Sequence, residues 1–208
     1  PHVQYRKGAE ARMRKLRGDL AADQVIAQRI VNTVDSTMSA VRKDIRTEVP
    51  FGHHVETLKL PHRIVTRSEK EWAQAKVDQV LAKPAAKRSS AEESHRRWNQ
   101  HVIDRFKEQQ ANPKFDMELH VLRLGDVAVA TNPFELFLDF GLRMKTQSKA
   151  QQTFIVQLTG SAGWYLPTIK AAAGGGYSAI IQSSLVGPEG GDVLVNRTVE
   201  LINAMWAK

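Results

Sequence analysis

Two side chains stand where they could hold a metal ion or polarise a carbonyl group: Glu135, in Asn132-Pro-Phe-Glu135, and Tyr165, in Gly163-Trp-Tyr-Leu-Pro-Thr168. Each follows a short apolar run that reads as a core strand. A carboxylate at a strand-to-helix junction is aimed into a cleft, and the positive end of the helix favours its ionised, metal-binding form. The same position also suits an ordinary first-turn helix glutamate. A phenol such as Tyr165 ligates zinc or donates to an oxyanion, or simply packs beside its tryptophan. Tyr177, which closes the run Gly174-Gly-Gly-Tyr177, shares that ambiguity and reads from its surroundings as structural or pocket-lining.

Other chemistries find little support. The chain has no cysteine, so disulfides and thiolate metal sites are excluded and a metal would have to use His, carboxylate, phenolate or water. The seven histidines fall into no zinc-binding pattern, and there is no HExxH. His53, His54 and His62 lie in a loop and at a strand edge, and His95 and His101 lie on a charged helix. His120 alternates into a hairpin, where it faces the core, the surface or a site. A nucleophile elbow of the GxSxG kind is absent. The glycines of Gly174-Gly-Gly-Tyr-Ser-Ala179 lack the lysine and the flanks of a phosphate-cradling loop.

The elements that must position Glu135 and Tyr165 are legible in the periodicity. Residues 4–17 and 21–43 read as helices parted by Gly18, the second with Val25, Ile26, Ile30, Val31, Val34, Met38 and Val41 on one stripe that is expected to be buried. Val55 to Leu60 alternate as a strand closed by Pro61. Ser68 and Glu71 read as a capping box for a helix to about Leu81. A polar connection over 84–94 leads into a further helix through Trp98, Val102, Ile103 and Phe106, so that 84–112 forms a helical insertion. Met117–Leu124 and Val127–Thr131 flank Gly125-Asp126 as a hairpin. A helix is expected from Phe134 to Lys145, a buried strand over 153–158 and a last helix from Asp192 to Trp206. Three successive glycines at 174–176 point to a close backbone approach or an unusual turn. The fold class is therefore α+β: a helical N-terminal half followed by a mixed β-sheet with packed helices.

The net charge of +8 lies entirely in residues 1–100, with 20 Lys/Arg against 12 Asp/Glu, while residues 101–208 hold 10 of each. The basic residues are spread over helix faces among acidic ones, without a basic run or an aromatic platform, so nucleic acid is not the expected partner. Contact with an anionic membrane surface, or a solvated helix face, fits them better. No stretch reaches the roughly 18 apolar residues that span a bilayer, and the first fifteen residues lack the apolar core of a signal peptide.

The order of motifs resembles a known family. A Gly-Asp hairpin, Asn-Pro-Phe-Glu135, a strand, Gly-Trp-Tyr165-Leu-Pro-Thr, a glycine-rich stretch ending in Tyr177, and Gly187-Pro-Glu-Gly-Gly191 before the last helix together resemble the neutral/alkaline non-lysosomal ceramidases, and most closely their bacterial ceramidase-like branch. The resemblance spans most of the chain and is best over 117–206. It implies that residues 1–208 are one partial domain, the C-terminal part of a ceramidase-like catalytic domain, and that Glu135 and Tyr165 are ligands of a catalytic Zn2+. Tyr177 falls at the family's Tyr-Glu-Gly position, without its Glu, and carries a catalytic role by the same resemblance. The two zinc histidines and the nucleophile would lie upstream, in a missing N-terminal half. The implied substrate is an N-acyl amide or a sphingolipid-like molecule, and the implied location is extracytoplasmic. Trp164 departs from the family, which usually has Gly before the Tyr, and the terminal β-sandwich domain of the family is absent. The rival reading is a non-catalytic scaffold of the same shape. The part-domain reading requires a large apolar face left open on the chain, and the scaffold reading a closed surface.

Overall fold

The computed structural model describes residues 2–18 and 20–207, which divide into two compact units, 1–49 and 50–208. In the first, α1 (His2–Arg17) ends at Gly18, whose φ of +61° is the left-handed conformation that closes a helix most cheaply in glycine. There follows α2 (Ala22–Val41), whose N-terminus is tied by the Ala21 N–H donating to Gln24 Oε1 at 2.9 Å. The stripe of α2 that was expected to be buried is not: no residue of this helix is buried, and Ile26, Ile30, Val31, Val34 and Val41 are exposed.

The second unit is built on a four-stranded sheet. β1 (Phe51–Pro61) pairs antiparallel with β2 (Lys114–Leu124), β2 turns through Gly125 (φ +61°) into antiparallel β3 (Val127–Thr131), and β5 (Gln152–Val156) adds parallel to β3. Between β1 and β2 lies a helical hairpin, α3 (Arg67–Leu81) and α4 (Ser90–Glu108). Both helices open on capping boxes, in which a hydroxyl and a Glu carboxylate satisfy end N–H groups reciprocally: Ser89 with Glu92, and Thr66 with Glu69. The α3 box thus sits two residues before the Ser68/Glu71 pair expected from sequence.

One face of the sheet carries Leu58, Leu60, Met117, Leu119, Val121, Ala128 and Ala130. It packs against α7 (Pro188–Met205) and, beside β5, against α5 (Leu138–Gln147). Gly191 allows the close α5–α7 approach, since a Cβ there would lie 2.3 Å from the Phe140 ring. A second core joins Val65, Ala73, Val77, Val102, Ile103 and Ile181 under the α3–α4 hairpin. Beside it Arg105, 8% exposed, donates to the carbonyls of Ile181 (2.8 Å) and Arg63 (3.1 Å); burial and the neighbouring Arg63 cation lower its pKa to about 10, which leaves it charged at neutral pH.

Within this unit and among the described residues, the opposite sheet face has no such cover. Phe51, Val55, Leu124, Phe154 and Val156 are exposed there, around a polar centre of His53, His120, Thr131 and Glu118 placed together by the register. Phe154 shows the contrast with expectation best: in a strand expected to be buried, Thr153 is buried and Phe154 is 50% exposed. An apolar sheet face must be buried against something, so this layer is one short of the usual arrangement. Among the described residues no helix is long and apolar enough to cross a membrane.

The covered face also holds a bidentate ion pair that fastens α7 to the sheet. Arg197 Nε and Nη2 each donate to Glu56 at 2.7 Å, and the guanidinium holds the Glu56 carboxyl at about 2, below its ordinary 4.5. A carboxylate whose folded-state pKa is depressed contributes stability that is present above the unfolded value and is lost as pH falls toward the folded one. Glu56→Gln should therefore lower the unfolding free energy at pH 7 by about 1 kcal/mol, a modest figure because the pair is partly solvated. Urea unfolding of both proteins should show that gap closing between pH 4.5 and pH 2; a gap unchanged at pH 2 would mean that the pair is not its source.

Candidate functional site

Glu135 and Tyr165 are brought together by the shortest strands in the molecule. β4 (Phe134–Leu136) and β6 (Trp164–Leu166) pair in parallel with Glu135 directly opposite Tyr165. The helix expected from Phe134 begins only at Leu138, so Glu135 is a strand residue and not a first-turn helix glutamate. The cause is local: Asn132 is buried, its Oδ1 accepts from the Phe134 N–H at 3.1 Å and its carbonyl accepts from Thr159 N–H at 3.0 Å, which holds the chain extended after Pro133. Gln157 Oε1 then accepts from the Leu136 N–H at 2.8 Å, taking up a donor that a helix would have used.

Phe134 and Gly163 fix the distance between these strands. Phe134 is fully buried, and a Cβ on Gly163 would lie 2.4 Å from its ring, so only glycine fits. Trp164 follows with φ +59°, a left-handed conformation that a bulky residue rarely adopts and that Gly adopts freely. Strain of this kind persists where the surroundings enforce it. Here the indole is met edge-on by His101 (ring centroids 5.0 Å, 65°).

Interaction with the Glu135 carboxylate raises the pKa of the Tyr165 phenol above the ordinary 10.0. Tyr177 joins them: its ring lies edge-on to Tyr165 (5.8 Å, 78°) and against Trp98 (5.8 Å), while it remains 68% exposed. The short helix α6 (Ile169–Gly174) ends just before it, and the glycines that follow set Tyr177 in place, Gly175 (φ +69°) and Gly176 (φ +102°) having left-handed backbones. A Cβ at any of Gly174 to Gly176 would meet nothing within 4 Å, so the glycines serve an unusual turn and not a close approach.

The three residues singled out in the sequence are thus neighbours. Two that were not singled out adjoin them, Trp98 and His101 of α4. The signal for both was their spacing of three, which puts them on one helix face with Val102 and Arg105. His101 Nε2 is buried without a hydrogen-bond partner, and its pKa is lowered, first by burial and then by the Arg105 cation, which keeps the ring neutral. Among the described residues no three His, Asp or Glu side chains converge as a metal would require. The chain offers one carboxylate and one phenol at this place, both oxygen donors that zinc accepts.

No family model matches the sequence, and no curated protein matches it. Solved structures do. A neutral ceramidase from Pseudomonas aeruginosa is similar over 75% of this chain at 14% identity and a TM-score of 0.48, and a ceramidase described as complexed with C2 is similar over 44% at 16% identity and a TM-score of 0.40. The chain spans 28% and 15% of their lengths, so each is a likeness of fold to part of a longer protein.

Two outcomes follow from this geometry. In a spectrophotometric titration one phenol should ionise later than a free tyrosine, and Glu135→Gln should bring it back toward about 10; a titration unchanged by that substitution would mean that Glu135 does not act on the phenol. Gly163→Ala should destabilise the fold by about 1–3 kcal/mol, read by urea unfolding, because the added methyl group must displace a ring with nowhere to go.

Proposed function

We propose that this chain is the C-terminal part of the catalytic domain of a zinc-dependent hydrolase that cleaves an N-acyl amide bond, of a ceramide-like lipid or a related amide, outside the cytoplasm. The observation that carries the reading is the pairing of Glu135 with Tyr165 across two strands, walled by Tyr177, at the motifs that resemble the family's metal ligands. The open apolar sheet face supports it as well, being the surface that a missing half of the domain would cover.

In this reading Glu135 and Tyr165 are two zinc ligands, and the imidazole ligands and the nucleophile belong to the missing half. Zinc, when bound, polarises an amide carbonyl or lowers the pKa of a coordinated water. Glu135 supplies negative charge, and the β4–β6 register sets Tyr165 directly opposite it. Tyr177, exposed and edge-on to Tyr165, has a hydroxyl free to donate to the oxygen of a tetrahedral intermediate, which is the catalytic role assigned to it. Trp98 and Tyr177 form an aromatic wall for the apolar part of an acyl substrate. The chain by itself would be inactive.

The scaffold reading draws on the interaction of the Tyr165 phenol with the Glu135 carboxylate, which needs no metal. Elemental analysis separates the two. The chain co-expressed with the segment that completes the domain should hold zinc, and Glu135→Ala should lower its zinc content by one equivalent per complex. No zinc in the complex would overturn the hydrolase reading in favour of the scaffold.

A further inference from the structure

The open sheet face carries a second cluster, remote in the chain from Glu135 and Tyr165. His120 Nε2 lies 2.7 Å from Glu118 Oε1, and His120 Nδ1 lies 3.0 Å from His53 Nε2. A carboxylate only accepts, so His120 carries its proton on Nε2 and presents the Nδ1 lone pair to His53. The two rings are within 17° of coplanar with centroids 5.3 Å apart. At a nitrogen–nitrogen distance of 3.0 Å that separation is reached only edge to edge, so the two nitrogens point at each other along one line. The arrangement follows from register: His53 is opposite Leu122 and His120 is opposite Val55, which makes the histidines diagonal neighbours on one face. They line a shallow cavity of about 290 Å³ with Leu122, Thr131 and Thr159.

We propose that His53 and His120 form a binding site for a borderline divalent transition metal of the zinc class. Imidazole is the side chain such ions favour in a protein without cysteine. The Glu118–His120 bond is the outer-shell contact that ligating histidines make through their second nitrogen, fixing the tautomer and raising the basicity of the first. Two nitrogens on a tetrahedral zinc, each at about 2.0–2.1 Å, stand about 3.4 Å apart, so the pair must open by a few tenths of an ångström and His53 must turn. His53 is exposed and free to turn. Its proton moves from Nε2 to Nδ1 as the metal takes the Nε2 lone pair, and His120 keeps its proton toward Glu118, so no net charge is released. No third His, Asp or Glu among the described residues converges on this point. The remaining positions are left to water or to a donor on whatever covers the face.

The site is tested on the 208-residue chain by calorimetric titration with zinc chloride, alongside long-range ¹H–¹⁵N spectra of the imidazoles. One zinc should bind, with the resonances of His53 Nε2 and His120 Nδ1 shifting together. His53→Ala and His120→Ala should each weaken binding at least tenfold, Glu118→Gln by roughly 10-fold or more, and Glu135→Ala should leave it unchanged. Binding lost in Glu135→Ala but retained in the histidine variants would overturn this site and locate the metal at Glu135. Absence of zinc binding by the chain would also overturn it, without touching the zinc content of the completed domain. So would binding that leaves the two imidazole resonances where they were.

Discussion

The contact between the Phe134 ring and the bare α-carbon of Gly163 is what the site hangs on. It brings β4 and β6 within pairing distance, and pairing puts Glu135 opposite Tyr165. Packing is felt at the level of single methyl groups in a close-packed interior, so a glycine beneath a buried ring is a dimensional requirement and not a flexible joint. The next residue absorbs the consequence. Trp164 takes a left-handed backbone, and its indole is fixed against the neutral His101 of a helix more than fifty residues earlier in the chain. The α3–α4 hairpin therefore contributes to the site although neither of its helices holds Glu135 or Tyr165.

Sequence reading was most informative where periodicity and turn chemistry agree. The hairpin about Gly125-Asp126 and the two N-terminal helices are where apolar spacing puts them, the terminal helix starts at Pro188, four residues before the expected Asp192, and the α+β class follows. It erred where a tertiary partner decides local conformation. Residues 134–137 have the composition of a helix start, but Asn132 and Gln157 take the N–H groups of Phe134 and Leu136, and the segment becomes a strand. The α3 cap shifted two residues because Thr66 and Ser68 are both capable caps, and nothing short of the backbone geometry decides between them.

The candidate site was legible as three residue names but not as a geometry. Glu135, Tyr165 and Tyr177 are up to 42 positions apart in the chain, and only the β4–β6 register and the turn through Gly175 and Gly176 make them neighbours. His53 and His120 are further apart still, and the sequence gave them no metal pattern: His53 read as lying ahead of a strand that in fact begins at Phe51, and His120 as one residue of a hairpin. Their meeting depends on the β1–β2 register, which a pattern of single strands does not contain. The stripe of α2 fails as an expectation for a related reason: amphipathicity says which face wants cover and not whether cover is at hand.

The uncovered sheet face also bears on how such a chain survives its own synthesis. An unbroken apolar plate with a free edge strand is what drives copies of one chain to associate with each other. This face is interrupted across its middle by His53, His120 and Glu118 and at one end by Lys59 and Asp116, which lie 3.9 Å apart. Those groups lose their water if a second identical face closes over them, while an element bearing matching donors would replace it. The polar centre thus lets the face wait for the right cover.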